Sequence, residues 1–492
     1  MKKTILFLAF CCWAIGWQQA HADTTATVVT VGDATSITLD EMIAQGLPVF
    51  YVETVEHEEP TCEYVSAPSG CMGATIRNAT KVPGRLIVYQ LIDGNDSVLY
   101  DSGDYEKDVS GMTIKLRGNT SAYEAKKPYK IKLEKKFDLL FGGNDSVYKD
   151  KEWLLLRDDY LTTLAGFKVS ELVGMVWTPR HHFVNVVIND SYRGTYLLCE
   201  SVKRNPDCRL NVDKNSGFIF ECDPYWWNED VYVISEKNPS YNYTFKYPDD
   251  DDITEEQLEY MQALVKAYES SLKKKTYPDM IDVRSFAAWC LVHDICGTKD
   301  SGGANRYYTK YDTTSATKIV MPLAWDFDMA ERTYSAWSKS HTSHMTNLFN
   351  NSNKAFVAEF VDLWYAIRAT FLSDITGYMN EFKVSDQGQA LHASLTYNNL
   401  LYGVSLSVIN NSLGRNVWYN DRYPWLDRNV MALINQGDVN HDGSIDIADV
   451  TALIDMVLSG GSGCRRAADM DGDYAIDIED VILLISTVLG AE

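Results

Sequence analysis

The feature that most constrains this chain is an internal repeat near its C-terminus. "DVNHDGSIDIADVTALIDMVL" from Asp438 aligns with "DMDGDYAIDIEDVILLISTVL" from Asp469, an offset of 31 residues. In the first copy Asp438, Asn440, Asp442, Ser444, Asp446 and Asp449 fall at positions 1, 3, 5, 7, 9 and 12 of a loop, with Gly443 at position 6. Such odd-position spacing wraps a hard cation that wants six or more oxygens, which points to calcium. The second copy offers Asp469, Asp471, Asp473, the carbonyl of Ala475, Asp477 and Asp480. It places Tyr474 where the turn favours glycine, so the second site is expected to bind more weakly. Segment 437–492 carries twelve acidic residues against Arg465 and Arg466, and without calcium that repulsion should keep it loose.

Each loop leads into one amphipathic stretch, Val450 to Leu458 and Val481 to Leu489, and the second flanking helix of an EF-hand is missing. The paired loops resemble a dockerin over residues 437–492. That resemblance implies a small all-α domain folded by Ca2+, with a cohesin domain of another protein as its partner. Loop positions 10 and 11 help select the cohesin in that family. Here they are Ile447 and Ala448, then Ile478 and Glu479.

The N-terminus, "MKKTILFLAFCCWAIGWQQAHADTT", reads as a signal peptide: Lys2 and Lys3, an apolar run, then Ala20-His21-Ala22 as a small-x-small cleavage site. Residues 1–22 are expected to be removed and the protein to be secreted or held at the cell surface. No later run approaches the roughly 18 apolar residues of a membrane span. A formal charge of −23 argues against nucleic acid or an anionic membrane as partner. Eight cysteines remain after the signal, in a compartment that permits disulfides. Cys62 with Cys71 is the expected pair, and Cys199, Cys208 and Cys222 are expected to contain another.

At 492 residues the chain should hold two or three domains. Residues 23–110 alternate β-type runs such as "LPVFYVETV" and "GRLIVYQLI" with turn residues. In "GMTIKLRGNTSAYEAKKPYKIKLEKKFDLL" two strand-like pieces flank a polar loop with Arg117, Gly118, Asn119 and Thr120. On the second piece Lys130 and Lys132 share a face by the period of two. They suit a polyphosphate or, more commonly, water along an edge strand. "YLTTLAGFKVSELVGMV" reads as an amphipathic helix containing Glu171, and helical periodicity dominates 255–296 and 353–411.

Between those helical blocks lies "GTKDSGGANRYYTKYDTTSATKIVMPLAWDFDMAER", residues 297–332. Two β-type runs joined by a polar turn would bring Asn305 at the entry to Asp326 at the exit, with Asp300 and Asp328 beside them. D-x-x-x-x-N, a strand pair and D-F-x follow the order seen in protein kinases, where metal and positioning do the work of phosphoryl transfer. Lys299 stands where those kinases carry arginine, and no glycine follows Phe327. With "LPVFYVET", "VVINDSYRGTYLLCE" and "MPLAWDFDMAER", these segments resemble the spore-coat protein H (CotH-like) family of atypical kinases, over roughly 47–335. The resemblance implies ATP with Mg2+ or Mn2+ and transfer to a hydroxyl of a protein or peptide. It implies Asp326 as principal metal ligand, Asn305 and Asp328 as helpers, and Asp300 as the base-like residue. Arg117 and Asn119 would line the nucleotide loop, Lys130 or Lys132 would contact phosphate, and Glu171 would partner the lysine.

The expected fold class is α+β: an atypical kinase-like core, β-rich in its N-terminal part (23–110, then the core over 111–430) and helix-rich later, followed by a dockerin at 437–492. Two rivals remain. One is a catalytically idle binding protein of the same fold in a surface assembly. The other is a dockerin-borne carbohydrate-active enzyme, with Asp326 and Asp328 as paired carboxylates and "YWWNED" at 225–230 as a sugar platform.

Overall fold

A computed structural model describes residues 27–490, except 34, 141–145, 239, 303–304, 332–333, 339–340, 342–344, 404–411 and 461–462. The expected signal peptide lies outside the described residues. The first strands are β1 (Val28–Val31), β2 (Thr35–Thr38), β3 (Val49–Thr54), β4 (Glu63–Ser66), β5 (Ala74–Arg77) and β6 (Val82–Ile92). They are followed by β7 (Asn95–Asp101), β8 (Met112–Leu116), β9 (Tyr129–Phe137), β10 (Asp150–Leu156), β11 (His181–Ile188) and β12 (Ser191–Glu200).

Strands β10, β9, β8, β6, β3, β11 and β12 pair in that order, and β12 pairs back to β10, so the sheet closes into a barrel. A ring with an odd number of strands cannot alternate direction all the way round. The parallel contact of β3 with β11 resolves the parity, and the other neighbours are antiparallel. Alternation fills the interior: Phe50, Ile114, Ile131, Trp153, Val186 and Tyr196 belong to one buried cluster. On β10 and β12 the intervening Leu154, Leu156, Leu197 and Cys199 pack outward into a second, larger core. Strands buried on both faces read as unbroken apolar runs, as "LLL" at 154–156 does. β4 and β5 form a separate hairpin.

The larger core is covered by a second sheet, ordered β14 (Tyr232–Val233), β15 (Asn242–Tyr247), β13 (Phe218–Asp223), β16 (Arg306–Lys310) and β17 (Ile319–Val320). The helices are α1 (Leu39–Ile43), α2 (Thr162–Val173), α3 (Glu255–Ser271), α4 (Tyr277–Met280), α5 (Val283–Cys296) and α6 (Met345–Phe349). Then come α7 (Ala355–Ile367), α8 (Phe371–Val384), α9 (Asp386–Tyr402) and α10 (Ser412–Met431), followed by α11 (Ile447–Ser459), α12 (Arg465–Ala468) and α13 (Ile478–Leu489). The α+β expectation holds, and the barrel is an addition to it. None of the described helices is long and apolar enough to cross a membrane.

The expected disulfides are not formed: all eight described cysteines are free. Cys199 and Cys222 sit on strands of different sheets, buried in the larger core. There the Cys199 thiol donates to Glu200 O at 3.1 Å, and Cys222 Sγ accepts from Arg306 Nη2 at 2.9 Å.

Candidate functional site

Helix α5 starts on Asp282, whose carboxylate accepts the Ser285 N–H, and stops at Gly297, in the left-handed region with φ +56°. The chain then turns toward the segment after β17. Lys299 N–H donates to Met329 O, and Glu331 N–H donates to Cys296 O, which ties the two stretches together beside Asp300. The expected long exit strand ends at Val320; Pro322 has no N–H to continue the ladder. Asn305 and Asp326 nonetheless meet, each in the left-handed region (φ +64° and +65°), with Asn305 Nδ2 donating to Asp326 Oδ2 at 2.8 Å. One carboxylate oxygen from each of Asp300, Asp326 and Asp328 lies within 4.8 Å of the others. Burial, then the charges of Asp328 and Asp300, push the Asp326 carboxyl well above the usual carboxylate range, against a smaller opposing pull from Arg117. Three acids held this close, with one resisting its charge, form a site a divalent cation would relieve.

Phe327, fully buried between Asp326 and Asp328, fixes where they point. Its ring meets Phe167 edge-on at 6.0 Å and His293 at 5.7 Å. Gly166, on the same turn of α2, leaves the space: a β-carbon there would lie 2.3 Å from Phe327 Cγ. Helix α2 is set by Asp158, which accepts the Thr163 and Leu164 N–H groups at 2.9 Å each.

The acids open onto a polar cavity of about 330 Å³ whose lining includes Arg117, Gly118, Asn119 and Thr120. Gly118 sits at φ +81°, and Thr75 of the β4–β5 hairpin donates to Asn119 Oδ1. Arg117 and Asn119 therefore share one cavity with the acids. Lys130, Lys132 and Glu171 do not line this cavity. The two lysines point away from the barrel interior that Ile131 and Leu133 fill, on a strand paired on both sides rather than at an edge. Lys130 pairs with Glu152 of neighbouring β10 at 2.7 Å, and Lys132 is exposed. Glu171 pairs instead with Lys168, one turn back on its own helix, at 3.1 Å.

Sequence reasoning missed Glu221, Asp223 and Lys246, which also line the cavity, as does Tyr225 of the stretch read as a sugar platform. The available signal was "FIFECD", where two acids share one face of an otherwise apolar strand. Lys246 on adjacent β15 pairs with Glu221 at 3.1 Å. Burial works against that ammonium, but Glu221 and other nearby acidic groups outweigh it and hold its pKa above the usual value. Burial first, and Glu221 second, raise the Asp223 carboxyl to about 7. In the unfolded chain this group charges near pH 4, so the folded state keeps an extra proton between there and 7, and stability falls as pH rises through that window. Asp223→Asn, which cannot charge, is expected to melt above the parent at pH 8 and level with it at pH 4, by thermal denaturation at both. A gap of equal size at the two values would remove the titration argument.

The C-terminal loops take the shape their spacing requires. Asp438 Oδ2 accepts the Gly443 N–H, while Asp438 Oδ1 is buried with no hydrogen-bond partner. Such an orphaned carboxylate oxygen fits a cation. In the second loop Asp469, Asp471 and Asp473 bring oxygens within 4.8 Å of one another. The residues present thus fit calcium at both loops.

Residues 114–395 match the family model described as CotH kinase protein, and residues 436–489 match the Dockerin type I domain. The chain belongs to the CotH family. No curated protein matches it. This CotH protein carries its dockerin directly after α10, and the acid cluster, Arg117 and Asn119 all lie within the family match.

Proposed function

We propose that this CotH protein is a secreted protein kinase with a reduced kinase-like core. It would move the γ-phosphoryl group of ATP to a hydroxyl of a protein or peptide, and its calcium-folded dockerin would seat it in a cohesin. The observation that carries this reading is the convergence of Asp300, Asn305, Asp326 and Asp328 on a cavity that also exposes Arg117 and Asn119.

Asp326, oriented by Asn305, and Asp328 would hold Mg2+ or Mn2+, which when bound neutralises phosphate charge. Arg117 offers a guanidinium fork to phosphate oxygens, and Lys246 a second cation. Asp300 takes the proton of the acceptor hydroxyl as that oxygen bonds to the γ-phosphorus; the bond to the β-phosphate oxygen breaks and ADP leaves. A glycosidase is a poorer fit. The three acids lie within 4.8 Å of each other, closer than the roughly 5–9.5 Å between the two carboxyl groups of such enzymes. Trp227 of the expected sugar platform is half-buried and donates to Met72 O, and Trp226 packs on Tyr232.

Dockerin-bearing proteins are typically extracellular, which agrees with the export signal read from residues 1–22. Ile447 and Ile478, the two position-10 residues, are 68% and 60% exposed and suit an apolar cohesin surface. Incubation with ATP labelled at the γ-phosphorus and Mn2+ is expected to leave label on protein. Label transfer that persists in Asp326→Asn would count against the assignment.

A further inference from the structure

The dockerin does not hang free of the body. Asp362, on α7, accepts the Arg465 N–H at 2.9 Å, the Arg466 N–H at 3.1 Å and the Cys464 thiol at 3.0 Å, so a body carboxylate caps dockerin helix α12. Cys464 and Ala467 are buried in the larger core of the body, apart from the dockerin's own cluster around Leu453 and Leu484.

One turn along α7, Tyr365 donates its hydroxyl to Asp469 Oδ2, the position-1 carboxylate of the second calcium loop. Both side chains are buried. Tyr474, at position 6, stacks on the Tyr365 ring at 4.9 Å and 22°, and its hydroxyl accepts from Arg368 Nη1 at 3.1 Å. Arg368 is itself clamped by Asp427 of α10 at 2.6 and 2.7 Å. Tyr474 holds φ +71°, a left-handed conformation that a residue with a side chain adopts only under strain. The first loop differs at both points: position 6 is Gly443, and position-1 Asp438 keeps a buried oxygen without a partner. Two departures from the repeat, a tyrosine in the strained turn and a phenol on the first carboxylate, occur together in the second loop, and both involve Tyr365 of the body.

We infer that the second calcium loop is a composite site: the dockerin supplies the ligating oxygens, and Tyr365 of the body positions Asp469 from outside. A donor behind a metal-bound carboxylate fixes its orientation, and losing such a partner typically weakens metal binding 10- to 100-fold. Calcium in this loop therefore fastens the module to α7 and holds it at a set angle to the acid cluster. The exposed apolar residues of α11 and α13, among them Ile447, Leu458, Ile478 and Leu489, stay outside the clasp and free for a partner.

The test is calorimetric titration of Ca2+ into the chelator-stripped full chain. Two binding events are expected. Tyr365→Phe keeps the ring and removes only the hydroxyl; it should weaken one event about 10- to 100-fold and leave the other unchanged, while Asp438→Asn should weaken the other. Tyr474→Gly separates the readings further. A self-contained loop relieved of its strained residue would bind more tightly, whereas the composite site loses its stack and binds more weakly. Unaltered titration in Tyr365→Phe, or tighter binding in Tyr474→Gly, would overturn the inference.

Discussion

Asp326→Asn is expected to lose metal-dependent nucleotide binding while the protein without ligand melts at the same temperature or higher. The two halves of this result have one cause. Asp326 sits half-buried beside Asp328 and Asp300, and its carboxyl is pushed well above the usual range by burial and by those charges. An amide of the same shape ends the repulsion and still offers an oxygen to Asn305 Nδ2. A cation gains from the same charge that is costly without it, so removing that charge forfeits the ligand's contribution. At 100 times its dissociation constant a ligand adds about 2.7 kcal/mol, and the variant should forfeit nearly all of it. Because the carboxyl must ionise to bind the cation, affinity in the parent should rise with pH. Calorimetric titration of ATP with Mg2+ checks the first half, and melting in chelator checks the second. A variant that melts well below the parent would mean that Asp326 serves the fold rather than the site.

Gly166→Ala should reverse the usual sign of a helix substitution. Inside α2, alanine is favoured over glycine by about 1 kcal/mol on propensity alone. Here the new β-carbon would fall 2.3 Å from Phe327 Cγ and 2.5 Å from both Cδ atoms of the ring. The clash is with a fully buried ring packed on Phe167 and His293, and overpacking of this kind costs roughly 1–3 kcal/mol. The ring can yield only by moving the Asp326–Asp328 segment, so nucleotide affinity should fall at least about tenfold, about 1.4 kcal/mol. Gly377 on α8 is the control, since nothing lies within 4 Å of its added carbon. A gain in stability in Gly166→Ala, measured by urea unfolding, would show that the Phe327 wedge is softer than its packing implies.

What the sequence made legible was local. The calcium loops were readable because odd-position oxygens close to one another in the chain must wrap one ion. Asn305 and Asp326 could be paired because a strand, a short turn and a second strand return the chain to its start, even though the second strand stops at Val320. Barrel closure was hidden, because it depends on β10 meeting β12, and periodicity says which side chains turn inward but not which strands are neighbours. The same gap misplaced the cations: Lys130 and Lys132 do share a face, but it is the face that Glu152 of a neighbouring strand neutralises. Glu221 and Lys246 went unnoticed because each is an ordinary strand residue until β13 and β15 pair. In a loop considered alone Tyr474 looks like a flaw, and its partner Tyr365 stands 109 positions earlier.

The acids around Asp326 and the loop at Arg117 are proposed to form one nucleotide site. Thermal shift of the full chain, with calcium held constant, tests this most directly, using ATP alone, Mg2+ or Mn2+ alone, and each pair. A rise of several degrees is expected only with nucleotide and metal together, absent in Asp326→Asn. No rise under any combination, or the same rise in Asp326→Asn, would contradict it.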